Sequence, residues 1–148
     1  MERTESPAAP AAPAAPAAAS LPVSLPEALA TFDDVWSPRI VTSVNDYDVR
    51  LARAEGEHVW HVHDDTDEFF LVVAGELTLG LRERGGERAV VLPRGSVFTV
   101  PRGTWHKPSA APGTAILLLE PTGTPTTGDA HDPVPDHVDS TTGRPWHP

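Results

Sequence analysis

Short apolar segments separated by turn residues fill the chain from Ile40 to Glu120. Leu77, Leu79 and Leu81 alternate with small or polar residues, which is the period of a strand that has one face on a core. Asn45-Asp46 and several Gly and Pro residues mark the turns between such segments, and Ala74-Gly75 is predicted to form a tight hairpin. Short strands at this spacing indicate an antiparallel barrel or sandwich. The predicted fold class is therefore all-β.

One short helix is predicted ahead of the strands, over about Leu25 to Val35. Ser24 and Glu27 have the spacing of a capping box, which marks the start of a helix. The apolar residues of this segment fall on one helical stripe, made of Leu25, Leu29, Phe32 and Trp36. We expect this helix to cover part of the sheet.

The chain is predicted to have three parts. Residues 1–22 form an Ala/Pro-rich tail, where frequent proline disfavours helix and we expect disorder with polyproline-II character. This tail lacks the continuous apolar stretch of a secretory signal, and a start codon placed too far upstream would also produce it. Residues 23–121 form the folded domain. Residues 122–148, rich in Thr, Gly, Asp and Pro, form an irregular strap or acidic tail.

Composition limits the classes of function. The chain has no cysteine, so disulfides and thiolate chemistry are excluded and any metal must be bound by nitrogen and oxygen atoms. The formal net charge of −10 argues against a nucleic-acid partner, which requires a basic surface. No apolar run approaches the roughly 20 residues that span a membrane. We expect a soluble, cytoplasmic protein without membrane contact.

The candidate metal ligands are His61, His63, Glu68 and His106. Because strand residues two apart project to one face, His61 and His63 point the same way. An acidic turn, residues 64–67, brings Glu68 alongside them, and His106 arrives from a separate hairpin. Asp67, the neighbouring carboxylate, would point to the opposite face of the strand from Glu68. Glu68 is therefore the preferred candidate ligand. A lone histidine is more often a surface or hydrogen-bonded core residue than a ligand, so the prediction of a metal site depends on the four residues together.

These residues carry a family resemblance. The first cupin motif, Gly, His-x-His, Glu and Gly, resembles Gly56, His61, His63, Glu68 and Gly75. The second motif resembles Gly95, Pro101, Gly103 and His106. Two departures are visible: Gly56 lies one residue nearer to the histidine pair than usual, and Ala110 replaces an Asn that is not a ligand in the family. The resemblance covers about Leu29 to Asp129 and is closest to small single-domain bacterial cupins of the cupin_2 type, sometimes labelled mannose-6-phosphate isomerase-like.

The resemblance implies a single antiparallel cupin barrel, also called a double-stranded β-helix or jelly roll. It implies that His61, His63, Glu68 and His106 bind a divalent transition metal, and three imidazoles with one carboxylate suit Zn, Fe, Mn, Ni, Co or Cu. It also implies a homodimer, as is usual for such cupins. Six apolar residues are predicted to line the barrel: Phe70, Val72, Leu77, Leu79, Phe98 and Val100.

The function expected from these features is a metal-dependent enzyme that acts on a small organic substrate, by dioxygenase or oxidase chemistry or by isomerisation. Glu68 is the candidate acid or base, because no separate pair of proton-transfer groups stands out. A non-catalytic binding or sensing module and a polyketide cyclase-like tailoring protein are the alternatives. His58 is out of phase with His61 and is expected at the surface. Arg102 and Lys107 are expected to be solvated, with guidance of an anionic substrate as the alternative.

Overall fold

The computed structural model describes residues 21–148, so the tail predicted over residues 1–22 lies, up to Ser20, outside the described residues. The helix α1 spans Leu25–Leu29. The ten strands are β1 (Arg39–Val44), β2 (Tyr47–Glu57), β3 (His61–Val62), β4 (Glu68–Ala74), β5 (Glu76–Glu83), β6 (Gly86–Pro93), β7 (Val97–Val100), β8 (Trp105–Pro121), β9 (Ala130–His131) and β10 (Arg144–Pro145). The all-β cupin fold with one short helix is confirmed.

The helix α1 begins where the capping pattern placed it and ends earlier than predicted. The Ser24 hydroxyl accepts a hydrogen bond from the Glu27 amide at 3.3 Å, which satisfies one of the free donors of the first turn. Residues 30–35 do not continue the helix, and Val35 forms a bridge with Arg53 of β2. Trp36, predicted on the helical stripe, adopts a positive φ of 51° and lies in the barrel core.

The 17-residue strand β8 organises the sheet. On one side it pairs antiparallel with β2, and on the other its two halves pair with β4 and β5. The turn Asn45-Asp46 joins β1 and β2 as predicted, with Asn45 at a φ of 53°. All pairs between the described strands are antiparallel except that of β1 with β10, so the sheet is mixed.

The connection at Ala74-Gly75, predicted to be a tight hairpin, is a bend between two strands that do not pair with each other. β4 pairs with β7 and β8, whereas β5 pairs with β6 and β8. Gly75 has a φ of +69°, and a Cβ atom there would lie 2.5 Å from the Thr114 Oγ1 atom. The bend therefore requires glycine for its backbone conformation and for the close approach of β8.

Two apolar clusters lie on either side of the sheet. The inner cluster fills the barrel and contains all six predicted lining residues, of which Phe98 is the only one that is partly exposed. The outer cluster joins α1 to β2, through Ala28, Phe32 and Leu51, with Trp146 packed against it. The predicted role of the helix as a cover for the sheet is thus confirmed.

Residues 122–148 return across the barrel next to the histidine-bearing strand. β9 pairs with β3, and the Asp129 amide donates to the Val62 carbonyl at 2.8 Å. Gly128 has a φ of +70°, and a Cβ atom there would lie 2.3 Å from the Val62 carbonyl oxygen. Val138 of this segment is buried in the inner cluster. Within residues 21–148, no helix has the length and apolar character of a membrane span.

Candidate metal centre

Four side chains converge inside the barrel, three from strands and one from the residue that directly follows a strand. His61 lies in β3, His63 directly follows it, Glu68 begins β4, and His106 lies in β8 directly opposite His61. One ligand atom from each residue lies within 4.8 Å of the corresponding atoms of the others, and all four residues are buried. The convergence predicted from the spacing is therefore present, and the group could hold one metal ion.

Backbone carbonyls fix the orientation of two of the imidazoles. The Nδ1 atom of His61 lies 2.8 Å from the Val59 carbonyl oxygen, and that of His106 lies 2.9 Å from the Thr104 carbonyl oxygen. Since a carbonyl only accepts hydrogen bonds, each Nδ1 carries the proton. Burial, together with the neighbouring His106, holds the pKa of His61 well below its usual range, so this ring is neutral at pH 7. Its Nε2 atom therefore offers a lone pair.

Glu68 is the carboxylate of the group. Its Oε1 atom lies 3.2 Å from Nε2 of His106, and its Oε2 atom lies 3.2 Å from Nε2 of His63. Burial opposes ionisation, but the contacts with His106 and His63 outweigh it and hold the pKa of Glu68 well below its usual range. Burial also opposes the charge on His63, yet Glu68 raises the pKa of that ring above its usual value. Asp67, the rival carboxylate, is exposed and pairs with Arg102.

The donor atoms fit a divalent transition metal. Nε2 of His63 is buried, and its 3.2 Å contact with the Glu68 carboxylate lacks the geometry of a hydrogen bond, so a bound ion would stabilise this atom. Histidine nitrogens and a carboxylate oxygen are the ligands that borderline divalent ions prefer. A hydrogen bond from Nδ1 to a backbone carbonyl is also the usual support of a metal-bound histidine.

Comparison with known proteins identifies the family. The family model described as Cupin domain matches residues 47–119. The Uncharacterized protein YdbB of Bacillus subtilis (strain 168) is 39% identical over 80 residues, which are 54% of this chain and 68% of that protein. The chain belongs to the cupin family. A second relative of this cupin, 3-hydroxyanthranilate 3,4-dioxygenase of Bos taurus, is 33% identical over 61 residues, 41% of this chain but only 21% of that enzyme.

Solved structures share the cupin fold. A cupin-2 domain containing protein from Shewanella frigidimarina NCIMB 400 superposes with a TM-score of 0.63 and 36% identity, over 67% of this chain and 93% of that chain. Hydroquinone 1,2-dioxygenase PnpCD in complex with Cd²⁺ and 4-hydroxybenzonitrile superposes with a TM-score of 0.56 and 22% identity, over 68% of this chain and 72% of that chain. The second likeness concerns the fold alone.

A cavity of about 30 Å³ adjoins the candidate metal ligands of this cupin. That volume holds only a few water molecules. Its walls are mostly apolar, with Trp36, Phe70 and Ile116 among them, and its polar groups include His61, Glu68 and two residues that the motifs did not contain, His58 and Glu120. Two of the candidate metal ligands, His61 and Glu68, therefore face a small, largely apolar space.

His58 was predicted at the surface, and this prediction is wrong. The ring is 8% exposed and lines the cavity, with its centroid 4.8 Å from that of His61 and 5.3 Å from that of Trp36. The chain leaves the strand conformation between Glu57 and His61, so the alternation on which the prediction depended does not hold there. Burial lowers the pKa of His58 to about 4, so it is neutral at pH 7.

Arg50 of β2 holds a second buried polar group, which the sequence analysis missed. Its Nη1 atom donates to the Glu120 Oε2 atom at 2.7 Å and to the Thr124 carbonyl at 3.0 Å. Its Nη2 atom donates to the Asp48 Oδ2 atom at 3.1 Å. Arg50 is fully buried, which is exceptional for arginine. The signal in the sequence was its parity, since Arg50 is in phase with the inward-facing Ala52 and Ala54.

Arg102 and Lys107, the two basic residues beside the second motif, do not reach the cavity. Arg102 pairs with Asp67 at 3.2 Å, and Lys107 pairs with Glu57 at 3.1 Å. Both pairs are at least partly exposed. These contacts agree with the expectation of solvated charges and leave neither residue next to the metal group.

Proposed function

We propose that this cupin binds one divalent transition metal through His61, His63, Glu68 and His106 and acts at that ion on a small organic molecule. The observation that carries the proposal is the convergence of four buried donor atoms that lie within 4.8 Å of one another. A divalent ion held by these residues would balance the charge of Glu68 and would accept the lone pairs that the imidazoles direct into the group.

The chain's own residues would orient the ion and shield it. Val59 and Thr104 carbonyls hold two imidazoles in the tautomer that directs Nε2 into the group. The mostly apolar lining would limit the water beside the ion, and this would strengthen electrostatic interactions in the cavity. A bound transition metal supplies Lewis acidity and, if it is redox-active, electron transfer. Glu68 remains our proposed acid or base.

Among reaction types, we propose dioxygenase or oxidase chemistry. The bovine relative is a dioxygenase by name, although the match covers 21% of its length. The three-nitrogen, one-oxygen donor set suits iron, the metal most often paired with oxygen chemistry. Isomerisation, a binding or sensing module and a cyclase-like tailoring role stay predictions without a further observation in their favour.

The test has two stages. The protein is purified without an affinity tag or chelator, and its metals are measured by elemental analysis. It is then loaded with Fe²⁺ and supplied with diphenols, diketones and hydroxy acids, while oxygen uptake is recorded. We expect stoichiometric metal and substrate-dependent uptake, both lost in His106→Ala. Stoichiometric metal with binding but no turnover of any substrate would contradict the enzymatic part and favour the binding module.

We also propose that the cupin is cytoplasmic, as its composition suggested, and that it is a homodimer, as the resemblance implied. Val91 of β6 and Val97 of β7 are 54% and 59% exposed, so apolar surface remains on these strands in the single chain. Light scattering coupled to size-exclusion chromatography gives the mass directly. A mass of one chain at micromolar concentration would contradict the dimer.

A further inference from the structure

Glu120 occupies the wall of the cavity and comes from outside the cupin motifs. It lies on β8 in phase with the inward-facing Leu118 and Ile116, and it stands opposite Asp48 of β2. Two carboxylates so placed would repel one another. Arg50 lies between them and donates to both, so the pair of acids is stable only as part of this ionic group.

One oxygen of Glu120 remains available. Oε2 accepts the 2.7 Å hydrogen bond from Arg50, whereas Oε1 has no hydrogen-bond donor among residues 21–148. Nε2 of His63 lies 3.9 Å from this oxygen. Glu120 is 2% exposed and lines the same cavity as His61 and Glu68. An acceptor oxygen without a donor among the described residues therefore belongs to the wall of the cavity next to the candidate metal ligands.

The charges around the cavity disfavour an anionic ligand. In the metal-bound state, where the ligand histidines are neutral, Asp48, Glu68 and Glu120 would carry three negative charges and Arg50 one positive charge, which leaves two negative charges for a divalent ion to balance. Among residues 21–148, those lining the cavity include no lysine or arginine. A carboxylate or phosphate would thus bring an uncompensated charge into a buried site, which is costly.

We propose that Glu120 is a ligand-positioning residue that makes this cupin select small uncharged molecules with an O–H or N–H donor next to their metal-binding oxygen. The inference rests on the proposed metal centre. The donor of the ligand is held by Oε1 of Glu120, while Arg50 fixes the orientation of the carboxylate. This class of ligand includes alcohols, phenols and amides. It excludes sugar phosphates and simple carboxylates as preferred substrates.

The test uses two probes of equal size, acetamide and acetate, which differ in the N–H donor and in charge. The full-length protein is loaded with Co²⁺, and the dissociation constant of each probe is measured from the visible absorption of the ion at constant ionic strength. Glu120→Gln removes the negative charge and keeps a partner for Arg50. Asp48→Asn is the matched control, because it removes one charge from the same ionic group without lining the cavity.

We expect Glu120→Gln to weaken the binding of acetamide and to strengthen that of acetate. Because a hydrogen bond to a charged group corresponds to roughly ten- to a hundredfold in affinity, the ratio of the acetate to the acetamide dissociation constant should fall about tenfold or more. The ratio in Asp48→Asn should fall much less, because this variant removes the same charge but keeps the Oε1 acceptor of Glu120. A merely structural role would weaken both probes together and leave the ratio unmoved.

The cobalt content distinguishes a failure of the proposed metal centre from a failure of the proposed role of Glu120. If the wild type fails to retain Co²⁺, the proposed metal centre is wrong. If all three proteins retain one ion and the ratio is unchanged in Glu120→Gln, or falls equally in Asp48→Asn, the positioning role of Glu120 is overturned while the metal centre stands.

Discussion

Two buried polar groups lie side by side in the barrel and differ in how the chain balances their charges. In the arginine group (Asp48, Arg50 and Glu120), the guanidinium donates to both carboxylates and to a carbonyl, and its Nε atom lacks a partner among the described residues. In the histidine group (His61, His63, Glu68 and His106), four donor atoms lie within 4.8 Å of one another, and the 3.2 Å contact of His63 Nε2 with Glu68 lacks hydrogen-bond geometry. The chain itself supplies the cation of the first group, whereas we propose that a metal ion supplies that of the second.

The largest effect is expected from breaking the arginine group. Arg50→Met leaves two buried carboxylates without their cation, and loss of one partner from a buried ionic group typically costs about 3–5 kcal/mol. We therefore expect the free energy of unfolding, measured by urea denaturation, to fall by that amount.

The control for this variant removes the charges together. In Arg50→Met combined with Asp48→Asn and Glu120→Gln, no unpaired charge remains buried, so we expect much of the lost stability to return. A triple variant no more stable than Arg50→Met would show that packing of the arginine stem, rather than its charge, dominates the group.

A smaller effect should appear in the pH dependence of stability, through the buried histidines that line the cavity, His58 and His61. Burial lowers the pKa of His58 to about 4, against about 6.5 in an unfolded chain. Between these values the unfolded chain binds a proton that the folded one does not, so stability falls as the pH is lowered from 7 to 4. His61, whose pKa is also lowered by burial and by His106, adds to the loss. The contribution from Glu68 is lost at still lower pH, below its usual range.

The measurement is the urea unfolding of metal-free protein across this range. His58→Gln should reduce the slope by about 1.4 kcal/mol per pH unit, the value for one proton. The exposed His147→Gln is the control for the loss of a histidine and should retain the wild-type profile. An unchanged slope in His58→Gln would contradict the burial of a neutral ring at this position.

The smallest effect is expected outside the barrel. Arg82 and Glu87, on the β5–β6 hairpin, form an ion pair of 3.0 Å whose side chains are 43% and 63% exposed. Exposed pairs contribute about 0–1 kcal/mol because water screens them. Glu87→Gln should therefore shift the urea midpoint only slightly, and a loss comparable to that of Arg50→Met would remove the distinction between buried and exposed charges.

The sequence predicted the histidine group and not the arginine group, and the reason is local. The histidines and Glu68 stand in regular strands or at their ends, where alternation decides which side chains face inward. The same rule preferred Glu68 to Asp67, in agreement with the burial of the first and the exposure of the second. His58 escaped the rule because the chain is irregular between β2 and β3.

The arginine group depends on pairing that lies beyond local pattern. Asp48 and Glu120 are 72 residues apart in number and meet only because β2 pairs with β8 in one register. The alternation of β2 is consistent with an inward-facing Arg50, but a charged residue inside a barrel is improbable until its two partners are known. Val35, predicted in the helix, likewise forms a bridge with Arg53 of β2, a pairing that local pattern does not reveal.

The central claim is that the histidine group binds a metal ion, and its most direct test is the metal content and thermal stability of two proteins. Wild type and His63→Ala are dialysed against chelator and then titrated with Zn²⁺. We predict one ion per wild-type chain and a stabilisation of about 2.7 kcal/mol at a hundredfold excess over the dissociation constant, with both lost in His63→Ala. Equal metal content and equal stabilisation in the two proteins would contradict the account.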